Sequence, residues 1–393
     1  MRTRVSRRLF DKDRRSSSFL SHQRLATMER PMADIHTATR EYERWFSKHT
    51  KIVQADLDQK HKLMRTSPFI LLRGTFYRWA ELFPAALPEL MKAPIVLSAG
   101  DLHIENFGTW RDAEGRLNWG VNDFDEAHPL PFTNDLVRLA TSAAFAIEDG
   151  KLSLSLRAAC DIITSAYREA LVRHGCPFVL AEKNRDLGKM ARNRLKDPRD
   201  FFEKLDSQAK TSSPVPAVVV KLIDQSLPRN ASKPVYFQRQ AGVGSLGRQR
   251  YLAICDLGGS RIVREAKVML PSAWTLVHPE EGQEPVIYLN ELSEKCLRSH
   301  DPFLRVDNGW VIRRLAPDCA RIELNELPDQ RDERALLEAM GAEAANLHLG
   351  TPKARVAIIR FLDNNSNWLQ PAAKKMVRLT KQDFRDWRAG PQE

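Results

Sequence analysis

The chain has 393 residues, of which 42% are apolar and 28% charged, an ordinary composition for a globular protein. No apolar run approaches the ~20 residues that a membrane span requires. The five cysteines are scattered without a Cys-x-x-Cys pair, which argues against a disulfide or zinc framework and predicts a cytoplasmic protein. The length exceeds that of one small core and predicts two lobes.

The net charge of +11 is concentrated at the beginning of the chain. Residues 1–30 hold nine Lys or Arg against three Asp or Glu, without the apolar stretch of a secretory signal. We predict a basic, disordered tail over residues 1–33; a tether to nucleic acid or to an anionic surface is the alternative. Because no nucleic-acid-binding motif accompanies the charge, nucleic acid is a disfavoured partner.

Residues 34–64 carry apolar side chains at helical spacing and predict helix as far as Pro68. The apolar segment 68–79 suggests a buried strand or turn that leads into a helix. Two further apolar runs, Ile95–Leu97 and Leu117–Val121, predict adjacent strands whose ends present oxygen ligands to one point.

Acidic and amide residues follow both of these strands. Asp101, His103 and Asn106 form a Gly-Asp-x-His-x-x-Asn motif, and Asp123 and Asp125 follow the second strand. In phosphoryl transfer a carboxylate accepts the proton of the attacking hydroxyl while metal ions hold the phosphates. Asp101 suits the first role, and Asn106 and Asp123 suit Mg²⁺, which prefers oxygen ligands. His103 is either a metal ligand or a brace for the loop, and Asp125 either a second metal ligand or a solvated acid.

Residues 133–175 predict helices, with Thr133 or Asn134 as the N-cap. Asp135 suits a helix start, and it could also accept hydrogen bonds from the backbone of the Asp101 loop. The charged stretch 182–206 continues in helices. Proline-rich segments then place a domain boundary near residue 230, so that 34–230 is a helix-rich, metal-binding lobe.

Strands predominate after this boundary. Gly242, Gly244, Ser245 and Gly247 belong to a Gly-x-Gly-x-x-Gly loop between two strand-like runs. A dinucleotide-binding loop is followed by a helix, whereas strand, glycine loop and strand is the arrangement of kinases. The glycines would let the backbone approach the phosphates of ATP; an ordinary hairpin turn is the alternative.

A cation is expected on the next strand to hold the nucleotide phosphates. Arg264 and Lys267 are both available, but their spacing of three puts them on opposite faces, so that one of them enters the cleft. Glu291 and Glu294 are either partners of that cation or surface charges. We expect residues 311–316 to form the connection between the lobes near the adenine. Residues 231–350 are predicted to form the nucleotide-covering lobe, and residues 351–393 a C-terminal helical segment.

These motifs resemble the aminoglycoside-phosphotransferase branch of the protein-kinase-like superfamily. The ordered set over residues 60–350 resembles the bacterial family known as domain of unknown function 2252, including Leu72-Arg-Gly and a late Ala-x-x-x-His that ends at His348. The resemblance implies a catalytic Asp101, metal ligands at Asn106 and Asp123, and a brace at Asp135. At the position of the phosphate-holding lysine of that family this chain has Arg264. The phosphate would therefore be held either by Lys267 or by Arg264 in a modified role.

In kinases the glycine loop precedes the catalytic loop, whereas here it follows. We therefore expect an α+β, two-lobed, kinase-like fold that is circularly permuted, with the catalytic lobe first. The expected function is ATP- and Mg²⁺-dependent phosphoryl transfer to a hydroxyl on an unknown small molecule or protein. The alternatives are a metal-dependent hydrolase that uses Asp101, His103 and Asp123 directly, and a non-catalytic nucleotide-binding or interaction module.

Overall fold

The computed structural model describes residues 33–181, 183–193, 195–209, 214–319 and 330–391. The basic tail predicted for residues 1–33 lies, Ala33 excepted, outside the described residues. Asp34–Glu393 forms one compact unit in which helices alternate with antiparallel sheets, and this confirms the α+β class. The division of the unit near residue 230 stays a prediction.

The described chain opens with the helices α1 (Ile35–His49), α2 (Gln54–Met64), α3 (Pro68–Gly74) and α4 (Phe76–Ala86). The expectation of a strand or turn over residues 68–79 was wrong, because this segment is helical. Ser67 caps α3 by accepting the Ile70 N–H at 3.1 Å, and Pro68 fits the first helical turn, where its missing N–H costs nothing. Residues of α1, α3 and α4 line one side of the cleft that is described below.

The predicted strands β1 and β3 are both present. The short strands of this region are β1 (Ile95–Ser98), β2 (Phe107–Arg111), β3 (Leu117–Val121), β4 (His128–Pro131) and β5 (Phe178–Val179). β1 pairs with β4, whereas β2, β3 and β5 form a separate sheet. The expectation that β1 and β3 are adjacent was therefore wrong, and the loops after them are joined by side chains instead.

The helices that follow are α5 (Phe132–Glu148), α6 (Leu156–Val172), α7 (Arg185–Arg192), α8 (Pro198–Ala209) and α9 (Ala217–Asp224). α5 begins ahead of both predicted N-cap residues. Asn134 instead lies buried in its first turn, where its side chain accepts from Trp79 Nε1 at 2.9 Å and donates to the Gly100 carbonyl at 3.0 Å. This bond ties α5 to the loop that carries Asp101.

A five-stranded antiparallel sheet follows residue 230. Its strands are β6 (Val235–Gln238), β7 (Arg250–Leu257), β8 (Ser260–Val268), β9 (Arg305–Asp307) and β10 (Trp310–Leu315), in the order β6-β7-β8-β10-β9, with the short helices α10 (Trp274–Val277) and α11 (Leu289–Lys295) between β8 and β9. β7 and β8 form the predicted hairpin, and the glycine-rich segment joins β6 to β7. Lys267 on β8 lies opposite Arg250 and Val311.

The chain ends in the helices α12 (Gln330–His348), α13 (Arg355–Asn364) and α14 (Leu369–Ala389). α12 packs against α6, and α14 packs against α5, so that the C-terminal helices close the main apolar core. A buried ion pair of Arg78 with Asp383, whose Nε–Oδ2 distance is 2.9 Å, fixes α14 to α4. Within the described residues, the search for a helix of membrane-spanning length and hydrophobicity found none.

Candidate functional site: a cleft between the Asp101 loop and the glycine loop

The loop of residues 99–106 is held by Asp135. The carboxylate of Asp135 accepts the backbone N–H groups of Ala99 at 2.9 Å and Gly100 at 3.0 Å, which confirms the predicted contact. His348 Nε2 lies 3.2 Å from the same carboxylate, so the late Ala-x-x-x-His motif supports this brace. Gly100 has φ +78°, and a Cβ there would collide with the Glu126 carbonyl, so this turn requires glycine.

Asp101 is paired with Arg138, a fully buried arginine of α5. Nε and Nη2 of Arg138 lie 2.6 and 2.5 Å from Oδ1 of Asp101, and Nη2 also donates to the Leu72 carbonyl at 2.8 Å. Burial raises the pKa of Asp101, the positive charge of Arg138 opposes this effect, and nearby Asp123 adds to it. Both contacts use Oδ1, so the ion pair holds this oxygen of the carboxylate in place.

Asn106 joins the two motifs. Its side-chain Nδ2 donates to the backbone carbonyl oxygens of Asp101 at 3.1 Å and Asp123 at 3.0 Å. Its backbone carbonyl accepts the Asn122 N–H at 2.9 Å. Oδ1 of Asn106 is buried and accepts no hydrogen bond from any residue that the structure describes. A buried amide oxygen without a donor suits a hard cation such as Mg²⁺, so this observation fits the predicted ligand role.

Two cations meet the acidic pair that follows β3. Lys267 Nζ lies 2.5 and 2.6 Å from the two oxygens of Asp125 and 3.5 Å from Oδ1 of Asp123. Arg248 Nη1 donates to the second oxygen of Asp125 at 3.0 Å. Both oxygens of Asp125 therefore contact cations, while Asp123 Oδ1 accepts the Asp125 N–H at 3.2 Å and the Asp123 backbone carbonyl accepts from Asn106. Asp123, Asp125 and Asn106 all line the cleft, and their role as metal ligands stays a prediction.

The structure separates the two candidate phosphate-binding cations. Lys267 is buried behind the cleft-lining Asp123 and Asp125 and contacts both of them. Burial lowers the pKa of its ammonium, while the two carboxylates oppose this effect. Arg264 lies on the other face of β8, where its guanidinium stacks 4.0 Å from the ring centre of Phe303 and Nε donates to the Ser226 carbonyl at 3.2 Å. The opposite orientations follow from strand alternation, and they bring Lys267, not Arg264, to the acidic pair.

The glycine loop reaches the same cleft. Gly244 and Ser245 line it, and Ser245 Oγ accepts a hydrogen bond from Arg250 Nη2 at 2.6 Å. Gly247 has φ +93°, which strains any other residue, and a Cβ there would lie 3.1 Å from the Phe46 ring, a tight contact between α1 and the loop. The loop therefore rests on the N-terminal helices and faces the acidic motifs.

His103 and two glutamates take structural positions. His103 is buried, its Nδ1 accepts the Glu105 N–H at 3.2 Å, and its ring meets Phe69 edge-on, which suits a brace of the loop. Glu291 pairs with Lys295 at 2.6 Å on the surface, and Glu294 is exposed. Neither glutamate is placed at Lys267, so the surface-charge interpretation holds for both.

The cleft as a whole encloses about 600 Å³, part of it open to solvent. No group of three or more His, Cys, Asp or Glu side chains arranged to hold a metal occurs among the described residues. The residues that line the cleft are Tyr42, Arg73, Gly74, Phe76, Tyr77, Asp101, His103, Asn106, Asp123, Asp125, Glu126, Gly244, Ser245, Arg248 and Ala273.

Sequence reasoning missed several charged residues here. Arg248 directly follows the glycine loop and contacts Glu126 at 3.4 Å as well as Asp125. Glu126 also accepts the Ala273 N–H at 2.7 Å; burial raises its pKa to about 7, and Arg248 opposes the rise. The sequence feature that could have marked Arg138 as a site residue is its place as a lone arginine within an apolar helix. For Arg248 and Glu126 the sequence offers only their proximity to the glycine loop and to the Asp123 motif.

Fold and cleft define a mixed α+β protein whose acidic motifs, glycine loop and buried lysine converge on one site. Residues 52–212 match the family described as "Uncharacterized protein conserved in bacteria (DUF2252)". The match supports the resemblance to this family over that segment, which includes both acidic motifs and ends before the glycine loop. Neither the curated proteins nor the solved structures gave a match.

Proposed function

We propose that the protein is an ATP- and Mg²⁺-dependent phosphotransferase with a circularly permuted, kinase-like fold. The observation that carries this proposal is that one cleft is lined by both sets of predicted residues: Asp101, Asn106 and Asp123 on one side and Gly244 and Ser245 on the other. These two sets come from distant parts of the chain, and phosphoryl transfer is the chemistry that requires both of them together.

The topology of the sheet supports the permuted arrangement. In kinases a glycine loop covers the phosphates and the phosphate-holding lysine lies on the third strand. Here the glycine loop joins the first and second strands of the five-stranded sheet, and Lys267 lies on the third, β8. This sheet follows the catalytic loop in the sequence, so the lobe that covers the nucleotide comes second.

Each side chain of the cleft has a task in this reaction. Bound Mg²⁺ supplies positive charge to the nucleotide phosphates, and Asn106 Oδ1 and the Asp123 carboxylate are the oxygens that suit it. Lys267 is the ammonium for the phosphate oxygens, with Asp125 holding it beside the cleft. Asp101 orients the acceptor hydroxyl and takes its proton; Arg138 holds Oδ1 in place, and burial raises the pKa of the carboxyl, which favours proton uptake.

The case for a non-catalytic module came from Arg264 at the position of the expected lysine. Lys267, whose Nζ lies 3.5 Å from Asp123 Oδ1, supplies the missing ammonium three residues further along the same strand, on the opposite face from Arg264. This arrangement favours the phosphotransferase over the module. The metal-dependent hydrolase remains an alternative, and it predicts a requirement for a transition metal and no requirement for the glycine loop.

The proposal is tested by titrating ATP into the protein with and without Mg²⁺ in a calorimeter. We expect binding that requires Mg²⁺ and that weakens at least about tenfold, or about 1.4 kcal/mol, in Asp123→Ala and in Lys267→Met. Asp101→Asn should keep nucleotide binding, since Asp101 faces the acceptor. Asp149→Ala, an exposed acid on the end of α5, is the matched control and should bind as the wild type does.

Arg264→Met separates the two candidate cations in the same titration. Because Arg264 lies on the other face of β8, its loss should leave ATP binding within about threefold of wild type, under about 1 kcal/mol. The absence of ATP binding in the folded wild-type protein, or equal binding by wild type and Lys267→Met, would contradict the proposed nucleotide site.

A further inference from the structure

A lysine of α2 is buried beside the cleft without an ionic partner. Lys60 is 3% exposed, and its Nζ lies 5.3 Å from the ring centre of Tyr42 and 5.8 Å from that of Tyr77. Within the described residues its ammonium donates no hydrogen bond and has no carboxylate oxygen within 4 Å. The two rings provide a cation–π contact, which is a partial substitute for a counter-charge.

Lys60 lies directly behind residues that line the cleft. Both tyrosines and Gly74 line the cleft, and a Cβ on Gly74 would lie 3.5 Å from Cε of Lys60. Burial lowers the pKa of Lys60 to about 8; the charges that act on it include those of Glu43, Arg248, Glu126 and Asp101. Three of these four belong to the cleft lining, so the ammonium senses the field of the site itself.

The other cations around the described cleft all have acidic partners. Their pairs are Arg73 with Glu105, Arg138 with Asp101, Arg248 with Asp125, and Lys267 with Asp125. A buried charge is retained in proteins when it is paired or when it serves a ligand, because removing it from water is costly. Lys60 is therefore a cation whose counter-charge is expected to arrive with a ligand.

We propose that Lys60 binds an anionic group, a phosphate or a carboxylate, of the molecule that accepts the phosphoryl group. The identification of this molecule as the acceptor rests on the proposed function; the anion site itself does not. The cleft-lining residues next to Lys60 are Tyr42 of α1, Gly74 of α3 and Tyr77 of α4, so this part of the cleft is formed by helices. The acceptor is thus a small organic anion whose hydroxyl reaches Asp101 while its charged end contacts Lys60.

The anion site is tested by thermal unfolding in inorganic phosphate and in acetate, each against chloride at equal ionic strength and pH 7. The variants are Lys60→Met, which keeps the length of the side chain and removes its charge, and Lys62→Met, an exposed lysine of the same helix. We expect at least one of the two anions to raise the Tm of the wild type and of Lys62→Met, and to raise that of Lys60→Met by less than half as much.

An equal rise in all three proteins would be a general effect of the salt or binding at the glycine loop, and it would overturn the proposal. The absence of a rise in the wild type would overturn it as well. Protection by phosphate alone indicates a phosphate ester, and protection by acetate alone a carboxylate. ATP titration of Lys60→Met keeps the two proposals apart: the nucleotide should still bind, and failure of wild type to bind ATP while phosphate protection persists would remove the phosphotransferase but leave the anion site.

Discussion

Buried charges are paired differently on the two sides of the cleft, which we call the strand side (the sheet β6–β10 with the glycine loop) and the helical side (helices α1–α4). On the strand side, Glu265 is fully buried and accepts from Arg239 at 2.7 Å, Arg250 at 2.9 Å and Arg313 at 2.6 Å. On the helical side, within the part of the chain that the structure describes, the ammonium of Lys60 contacts the rings of Tyr42 and Tyr77 and pairs with no carboxylate. A charge whose partners are all in the protein holds the geometry of a site, whereas a charge without them is available to a ligand.

We expect the largest change in the free energy of unfolding when the ion pairs of Glu265 on the strand side are removed. Burial alone would raise the pKa of Glu265, but the arginines around it outweigh burial and hold the pKa well below its ordinary value. Glu265→Gln leaves these guanidiniums without their carboxylate and should lower the free energy of unfolding by about 3–5 kcal/mol. Urea unfolding at pH 7 measures this change. Exposed Glu294→Gln is the control; a loss below about 1 kcal/mol for Glu265→Gln would mean that solvent or other acids compensate the arginines.

The helical side should respond in the opposite direction. Lys60→Met removes a buried charge and should raise the free energy of unfolding at pH 7 by about 3 kcal/mol, since the pKa falls from an ordinary 10.5 to about 8. Below pH 8 Lys60 is charged in both folded and unfolded states, and the full penalty is present. As the pH rises from 8 towards 10.5 the folded amine is neutral while the unfolded one still binds a proton, so wild type gains stability relative to the variant.

Urea unfolding of wild type and Lys60→Met at several pH values checks this behaviour. The groups that act on Lys60 come from α1, the Asp101 loop, the segment after β3 and the residue after the glycine loop, namely Glu43, Asp101, Glu126 and Arg248. Their own titration is common to both proteins and cancels in the difference to first order. A constant difference between pH 7 and 10.5, or a variant less stable than wild type at pH 7, would show that Lys60 already has a counter-charge in the protein.

Local sequence patterns were enough to predict the strand side and the acidic loops. The spacing of Asp101 and Asn106 placed both on one turn, and the pattern around Gly242–Gly247 placed this loop between two strands, as the structure has it. Its role as a phosphate loop stays a prediction. Strand alternation also predicted that Arg264 and Lys267 face opposite ways. Which of them reaches the acidic pair depends on the pairing of β8 with β7 and β10, and a single sequence does not reveal that register.

The charges of the helical side could not be predicted from the sequence, because they depend on long-range packing. α2 is a polar helix, and Lys60 is buried because rings from α1 and α4 fold over it, a long-range packing event. The same holds for Arg138, whose partner Asp101 lies in a distant loop. Segment 68–79 was misread because a short apolar run is compatible with a strand or a helix, and the cap at Ser67 decides between them. Charges that meet through tertiary packing leave little trace in a local pattern.

The smallest expected effect concerns Ser245, where the two sides meet at the glycine loop. Its hydroxyl accepts from Arg250 Nη2 at 2.6 Å, and Arg250 also donates to Glu265 at 2.9 Å. Ser245→Ala removes one of these bonds and should cost about 1 kcal/mol of unfolding free energy, because Glu265 still holds the guanidinium. Exposed Ser260→Ala is the control and should be neutral in the same urea experiment.

ATP titration of Ser245→Ala then decides what the hydroxyl does. If Ser245 serves the charge network of the strand side, ATP binding should weaken by less than about threefold, since the phosphates are held by backbone N–H groups and by Lys267. A loss above about tenfold, or 1.4 kcal/mol, with stability nearly unchanged would assign the hydroxyl to the phosphate itself. In that case the bond from Arg250 belongs to the ligand-free cleft, and the strand side would exchange a partner on binding as the helical side is proposed to do.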